Sequence, residues 1–207
     1  MKIVDCEEGY KLFSHYYYKY YQHLDSFDWE ITKNLLYSKI DFIYGKNQKI
    51  FLADLGCGDG RVLKRVESYL LKKEYKNNNL FGLDISQDMM KIAKKKIRTD
   101  VKFIKINLEK AKIDFLFDLI YSFFLLVHIQ DIESFFSNVS NSLNSEGIFI
   151  FNNIEQKKGF QLPFLKEQTY IKFYNHPENK INLVLQKYFA KIDKIKTEFS
   201  TIYICEI

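Results

Sequence analysis

Cysteine and proline are both scarce in this 207-residue chain, with three of the first and two of the second. Cys6, Cys57 and Cys205 are too few and too scattered for a disulfide framework or a zinc site. The four histidines show no ligand spacing, so no metal is expected. No apolar run reaches the ~20 residues of a membrane span. The longest, residues 115–129, is interrupted by Asp118 and His128. The opening MKIVDCEEGY holds no signal-peptide apolar core. A strong charge of one sign is missing too: the net charge is +5, and the lysines are spread along most helix-like stretches. The densest basic run, KIAKKKIR at 91–98, reads as a solvated helix face rather than a phosphate-binding patch. These absences argue against nucleic-acid and membrane partners, and a soluble, cytoplasmic protein is expected.

What is present suits a single globular domain: 47% of residues are hydrophobic and 17% aromatic. From about Gly9 to Ile43, apolar residues such as Tyr10, Phe13, Tyr17 and Tyr20 recur at helical spacing, as do Ile31, Leu35 and Leu36. Two helices are expected there, with a turn at Asp25, Ser26 and Asp28 and a break at YGKNQK. Short apolar runs then alternate with amphipathic stretches: IFLADL, LFGLDI, VKFIKI, FDLIYSF and GIFIFNN read as strands. The segments between the first three and before the last are helix-length, with Ser86 and Asp131 placed to cap two of the helices. Such alternation calls for a parallel sheet covered on both faces, with ligands beyond the carboxyl ends of the strands. After Asn153 the pattern loosens into an aromatic-rich stretch. A helix at PENKINLVLQKYF, with Pro177 in its first turn, and an antiparallel hairpin of AKIDKIKTEF with TIYICEI close the chain.

DLGCGDG, residues 54–60, joins the first of these strands to a helix. Alternating glycines let the backbone turn sharply and let a ligand approach without Cβ atoms in the way. Two ligand classes compete for such a corner. A dinucleotide site wants G-x-G-x-x-G; here Gly56, Gly58 and Gly60 are followed by Arg61 and Val62, with no glycine at the third dinucleotide position.

DLGCGDG resembles the first motif of class I S-adenosylmethionine-dependent methyltransferases, and further segments follow in that family's order. GLDIS (82–86) resembles its second-strand motif, residues 117–151 its fourth strand, helix and fifth strand, and YKLFSHYYYKY its Y-x-x-F-A-x-x-Y-D opening, with Tyr18 in place of the Asp. The resemblance implies a Rossmann-like α/β fold: a doubly wound, seven-stranded, mostly parallel sheet with a C-terminal antiparallel hairpin and an N-terminal helical lid. It implies one domain, with 1–46 as lid, 47–153 as cofactor-binding core, 154–180 as variable substrate-side segment and 181–207 as final helix and hairpin.

By the same resemblance S-adenosylmethionine is the cofactor. Asp54, Gly56, Cys57, Gly58 and Gly60 would surround its methionine half, the carboxylate lying on the N–H-rich turn at 57–60. Asp84 would accept from both ribose hydroxyls and Ile85 would cover the adenine. Asn107, standing where relatives often carry Asp, would hold the adenine amino group, with Leu108 and Ser122 nearby and Tyr10 and Tyr17 over the cofactor. No catalytic residue is implied beyond His128, a candidate general base just past the fourth strand. The [DNS]-P-P-[YFW] motif of exocyclic-amine nucleic-acid enzymes is absent, the position reading YSFF, and neither Pro163 nor Pro177 adjoins a cysteine. The acceptor expected is a small organic molecule or a carrier-bound acid. The other readings are a non-catalytic S-adenosylmethionine-binding protein and, third, a nicotinamide-dinucleotide oxidoreductase.

Overall fold

The computed structural model describes residues 2–17, 29–76, 78–154, 160–162 and 169–207. Asp25, Ser26 and Asp28, expected as a turn, lie outside these residues, as do Tyr18, Tyr20 and Pro163. The chain opens with β1 (Lys2–Val4), α1 (Cys6–Phe13) and α2 (Trp29–Asn47). The alternating core follows: β2 (Ile50–Leu55), α3 (Arg61–Lys72), β3 (Asn78–Asp84), α4 (Gln87–Lys96), β4 (Lys102–Lys105), β5 (Phe117–Ser122), α5 (Ile132–Ser140) and β6 (Leu143–Asn153). Then come β7 (Phe160–Leu162), β8 (Thr169–Ile171), α6 (Glu178–Leu185), β9 (Lys191–Lys196) and β10 (Thr201–Glu206).

Seven strands form one sheet in the order β4-β3-β2-β5-β6-β10-β9. The pairs from β4 to β6 are parallel, and β10 runs antiparallel to both β6 and β9, giving the expected terminal hairpin. The order reverses between β2 and β5, so the crevice for a ligand opens at the ends of β2, β3 and β5.

Local chemistry accounts for the elements. The Ser86 hydroxyl caps α4 by accepting from the Met89 N–H, and the Asp131 carboxylate caps α5 by accepting from Glu133 and Ser134. Both central strands, IFLADL and FDLIYS, are buried almost throughout because helices cover the two faces of the sheet. One face packs Leu36 and Ile40 of α2 and Leu63 and Val66 of α3 against Ile50, Leu52 and Ile150. The other packs Phe135, Phe136 and Val139 of α5 against Phe149, Phe151 and Tyr203. Burying each such side chain contributes about 1.5–3 kcal/mol relative to leaving it in water.

Four details differ from the sequence reading. Helix α2 runs through Gly45 to Asn47 and stops where Gln48 takes a left-handed conformation, φ 52°. It packs into the core rather than over the crevice, although its first turn reaches the cavity. NSEG, residues 144–147 ahead of the expected strand GIFIFNN, already lies within β6, where the pairing with β5 slips from Phe117–Leu143 to Leu119–Ile148. Pro177 stands at the N-cap of α6, one position before the first turn. Finally, β1, β7 and β8 make a second, three-stranded sheet, with β1 parallel to β8. Val4, Phe13 and Ile171 form a small core of their own beneath it.

Candidate active site

A cavity of about 620 Å³ opens at the carboxyl ends of β2 and β3, within the range of small-molecule sites. Asp54, Gly56, Cys57, Gly58, Asp84, Ile85, Asn107 and Leu108 all line it, with Tyr10, Tyr17 and His128 on the N-terminal and β5 sides. Sequence-distant residues singled out for one ligand thus share one wall.

The glycine corner is tied to the end of β3. The N–H groups of Gly56 and Cys57 donate to the Leu83 carbonyl at 2.8 and 3.0 Å, and the Gly58 N–H donates to Asp84 Oδ2 at 2.8 Å. The Gly60 N–H donates to the Cys57 carbonyl at 2.8 Å. The N–H groups of Gly56, Cys57, Gly58 and Gly60 are thus spent within the corner, so the turn offers a ligand fewer donors than its glycine count suggests. Arg61, the first residue of α3 and a lining residue, is the cation beside the corner.

Two predicted ligand residues do not line the cavity. Gly60 is a packing glycine: its φ is +76°, and a Cβ there would lie 2.8 Å from the Ala93 Cβ on α4. The Ser122 hydroxyl donates to the Leu55 carbonyl at 2.9 Å and is buried between β5 and β2. The residue after it, Phe123, occupies the wall instead. Gly58, by contrast, meets only the tip of Met89 at 3.6 Å and its own corner's Gly56 carbonyl at 3.9 Å. A side chain there would project among the lining residues with φ at +49°.

Three carboxylates crowd this end. Burial and the neighbouring charges of Asp84 and Asp59 hold the Asp54 carboxyl well above its ordinary range, although the Leu63 backbone N–H favours its charge. Asp54 Oδ2 is buried with no hydrogen-bond partner among the described residues. Burial raises Asp84 to about 6, against the opposing pull of the Ser86, Gly58 and Ile85 backbone N–H groups. Asp59 is buried and paired with Lys96. Cys57 and Cys6 line the same wall, and burial together with nearby carboxylates pushes both thiols up, so neither is a ready nucleophile.

At the other side, Tyr10 Oη and His128 Nε2 lie 2.9 Å apart in a hydrogen bond, their rings edge to face. Burial lowers His128 to about 4, so the imidazole is neutral at pH 7. The Arg61 guanidinium donates to the Tyr17 hydroxyl at 3.1 Å, and burial pushes Tyr17 up to about 12. The Asn107 Oδ1 accepts from the Glu109 N–H at 3.1 Å, leaving one lone pair for a ligand. Residues the sequence reading did not single out also line the cavity, among them Trp29, Arg65, Phe124, Asn152 and Lys172. Arg65 had a legible signal, standing four residues after Arg61 on the same helix face.

Residues 53–149 match the methyltransferase domain family. The matched segment is 97 of the 207 residues and runs from β2 through most of β6, so the cofactor-side half of the cavity wall is the part that resembles a methyltransferase domain. The malonyl-[acyl-carrier protein] O-methyltransferase 2 of Ilyobacter polytropus is 25% identical over 138 residues, 65% of this chain and 51% of that protein. The juvenile hormone acid O-methyltransferase of Bombyx mori is 38% identical over 98 residues, 45% of this chain and 34% of that protein. The chain thus spans about half of the first relative's length and a third of the second's. An S-adenosylmethionine-dependent methyltransferase from Clostridium acetobutylicum shares the fold over 96% of this chain and 99% of its own, with a TM-score of 0.66 at 19% identity. Among the described residues no helix is long and apolar enough to cross a membrane.

Proposed function

We propose that this protein moves the methyl group of S-adenosylmethionine to a small organic molecule or a carrier-bound acid. The observation that carries this is the buried, unpartnered Asp54 Oδ2 beside a glycine corner whose Gly58 faces the cavity. An isolated buried carboxylate oxygen is costly unless something cationic or hydrogen-bonding meets it. The ammonium group of S-adenosylmethionine has the right charge and donors, so the donor set fits the cofactor. When bound, the cofactor supplies an activated methyl group, and the protein's share is positioning and exclusion of water.

The chain's own residues divide that work. Asp84, held by the Gly58 and Ser86 N–H groups, keeps lone pairs for two ribose hydroxyls. Ile85 and Leu108 offer apolar contacts to the adenine, and the remaining lone pair of Asn107 Oδ1 suits its amino group. Tyr10 and Tyr17 cover the cavity from the N-terminal segment, with β1 and β8 joining that segment to the 169–174 stretch as a lid. His128, neutral and engaged with Tyr10, positions that lid tyrosine rather than acting as a general base. The acid relatives support the acceptor class.

The first test is thermal stabilisation by S-adenosylhomocysteine, with NAD and NADP alongside. At 100 times its dissociation constant a ligand adds about 2.7 kcal/mol, or about 5–10 °C in melting temperature for a chain of this size. A shift with S-adenosylhomocysteine alone is expected; a shift with a dinucleotide alone would replace the reading.

A pH dependence follows from Asp84. Burial raises its folded-state value to about 6, and the ribose hydroxyls donate to the ionised form. Through Asp84, affinity for S-adenosylhomocysteine is therefore expected to fall by up to about tenfold per unit below pH 6, and Asp54, also held above its ordinary range, steepens that loss as it takes up a proton. Calorimetric titration between pH 5 and 8 checks this; a flat profile would mean that Asp84 does not meet the ligand. His128, already neutral over that range, adds no slope of its own.

A further inference from the structure

We propose that Arg65 recognises the methyl acceptor and that this acceptor is a carboxylic acid with an apolar body. The inference rests on the methyl-transfer reading and deepens it. Arg61 and Arg65 stand one turn apart on α3 and both line the cavity, separated by a rise of about 6 Å. Arg61 abuts the glycine corner and is engaged with Tyr17. Arg65 lies one turn further from the strand ends, half-buried, its guanidinium 4.3 Å from the centroid of the Trp29 ring.

The strand-end side of the cavity carries Asp54 and Asp84 and its α3 side the two guanidiniums, with Lys110, Lys172, Asp5, Glu7, Glu109 and Asp131 also in its lining. A carboxylate is drawn to the paired guanidiniums and kept from Asp84, which orients an acidic acceptor toward α3. A guanidinium presents a planar fork that matches a carboxylate with two charge-assisted hydrogen bonds, and a neutral acceptor cannot return these. Beside Arg65 stands the Trp29 ring, and Val62, Phe123 and Phe124 add apolar lining to the same cavity. That is a surface for a hydrocarbon or ring, not for a sugar. A carboxylate also has no proton to lose before its oxygen can be alkylated, which suits a wall where the neutral His128 is tied to Tyr10. Methylation removes the acceptor's charge, so the product loses its hold on Arg65 and can leave.

Trp29 is the chain's single tryptophan and stacks on the residue in question, so its emission reports directly. The experiment titrates octanoate and octanamide into the full chain saturated with S-adenosylhomocysteine, reading the midpoint of the Trp29 response. Octanoate is expected to bind saturably and octanamide at least about tenfold more weakly, a loss matching one charge-assisted hydrogen bond or more. Arg65→Gln should weaken octanoate by about tenfold or more with S-adenosylhomocysteine affinity unchanged, and Arg65→Lys should restore part of it. Equal midpoints for acid and amide, no saturable response, or an unchanged octanoate midpoint in Arg65→Gln would overturn the proposal. If Arg65→Gln loses S-adenosylhomocysteine as well, Arg65 serves the cofactor's carboxylate and the acceptor role falls. Failure of the unmodified protein to bind S-adenosylhomocysteine would instead remove the methyl-transfer reading, and the acceptor role with it.

Discussion

Asp84→Ala is expected to weaken S-adenosylhomocysteine binding by about 100-fold or more while the protein remains folded. Two hydrogen bonds from ribose hydroxyls to an ionised carboxylate contribute about 1.5–3 kcal/mol each, so losing both exceeds the ~2.7 kcal/mol that corresponds to 100-fold. The carboxylate also accepts from the Gly58 and Ser86 N–H groups at 2.8 and 2.7 Å, so its loss loosens the corner that faces the ligand. Stability moves less than affinity because two effects oppose each other. The variant leaves the Gly58, Ser86 and Ile85 backbone donors without their acceptor, yet it also removes a buried charge whose burial raises it to about 6. That shift corresponds to a penalty of about 3 kcal/mol at pH 7 for the ionised group, comparable with the lost backbone hydrogen bonds. The melting temperature of the ligand-free protein is expected to change by less than about 5 °C. Asp84→Asn, which keeps one acceptor oxygen, should fall between the two in affinity. Calorimetric titration of the three proteins decides the matter, and unchanged binding in Asp84→Ala would show that the cofactor is not held where the glycine corner meets β3.

Much of this site is legible in the sequence because its chemistry is local. Ser86 and Asp131 are legible as caps because capping depends on a residue and the two or three that follow it. Asp54 stands one residue before the end of β2 and Asp84 ends β3, and in a doubly wound sheet strand ends meet at one crevice whatever the side chains elsewhere. What fails to show is what depends on side-chain direction and on pairing across the chain. Ser122 is the last residue of β5 and Phe123 stands in the bend that follows, so the motif position alone does not say which of the two faces the cavity. The pairing of Lys2–Val4 with Thr169–Ile171 joins segments of three residues that are too short to carry a periodic signal. The number of donors left on the turn is hidden for a related reason. Glycine spacing reveals how many N–H groups a corner has, but not that Leu83, Asp84 and Cys57 already occupy those of Gly56, Cys57, Gly58 and Gly60.

The same limit separates the three glycines of the corner, and Gly60→Ala is the variant that exposes it. Its φ of +76° puts any L side chain in the left-handed region, and its Cβ would sit 2.8 Å from the Cβ and 3.1 Å from the Cα of Ala93. The left-handed conformation costs about 1–2 kcal/mol and the overpacking about 1–3 kcal/mol, because a backbone atom of α4 cannot swing aside as a side-chain tip can. A loss of about 3 kcal/mol lowers the melting temperature of a chain of this size by roughly 10 °C. Gly45→Ala provides the contrast. Gly45 lies in α2 with nothing within 4 Å of its would-be Cβ, so alanine there is expected to stabilise by up to about 1 kcal/mol. Gly60 does not line the cavity, so the folded fraction of Gly60→Ala should keep S-adenosylhomocysteine affinity within about threefold of the parent, the ordinary spread of a remote change. Thermal melts with and without ligand read both quantities from one sample. A stable Gly60→Ala that has lost its ligand would return Gly60 to the binding surface. An unstable one that still binds would assign it to the packing of α3 on α4, with the ligand met by Gly58 and the two strand-end carboxylates.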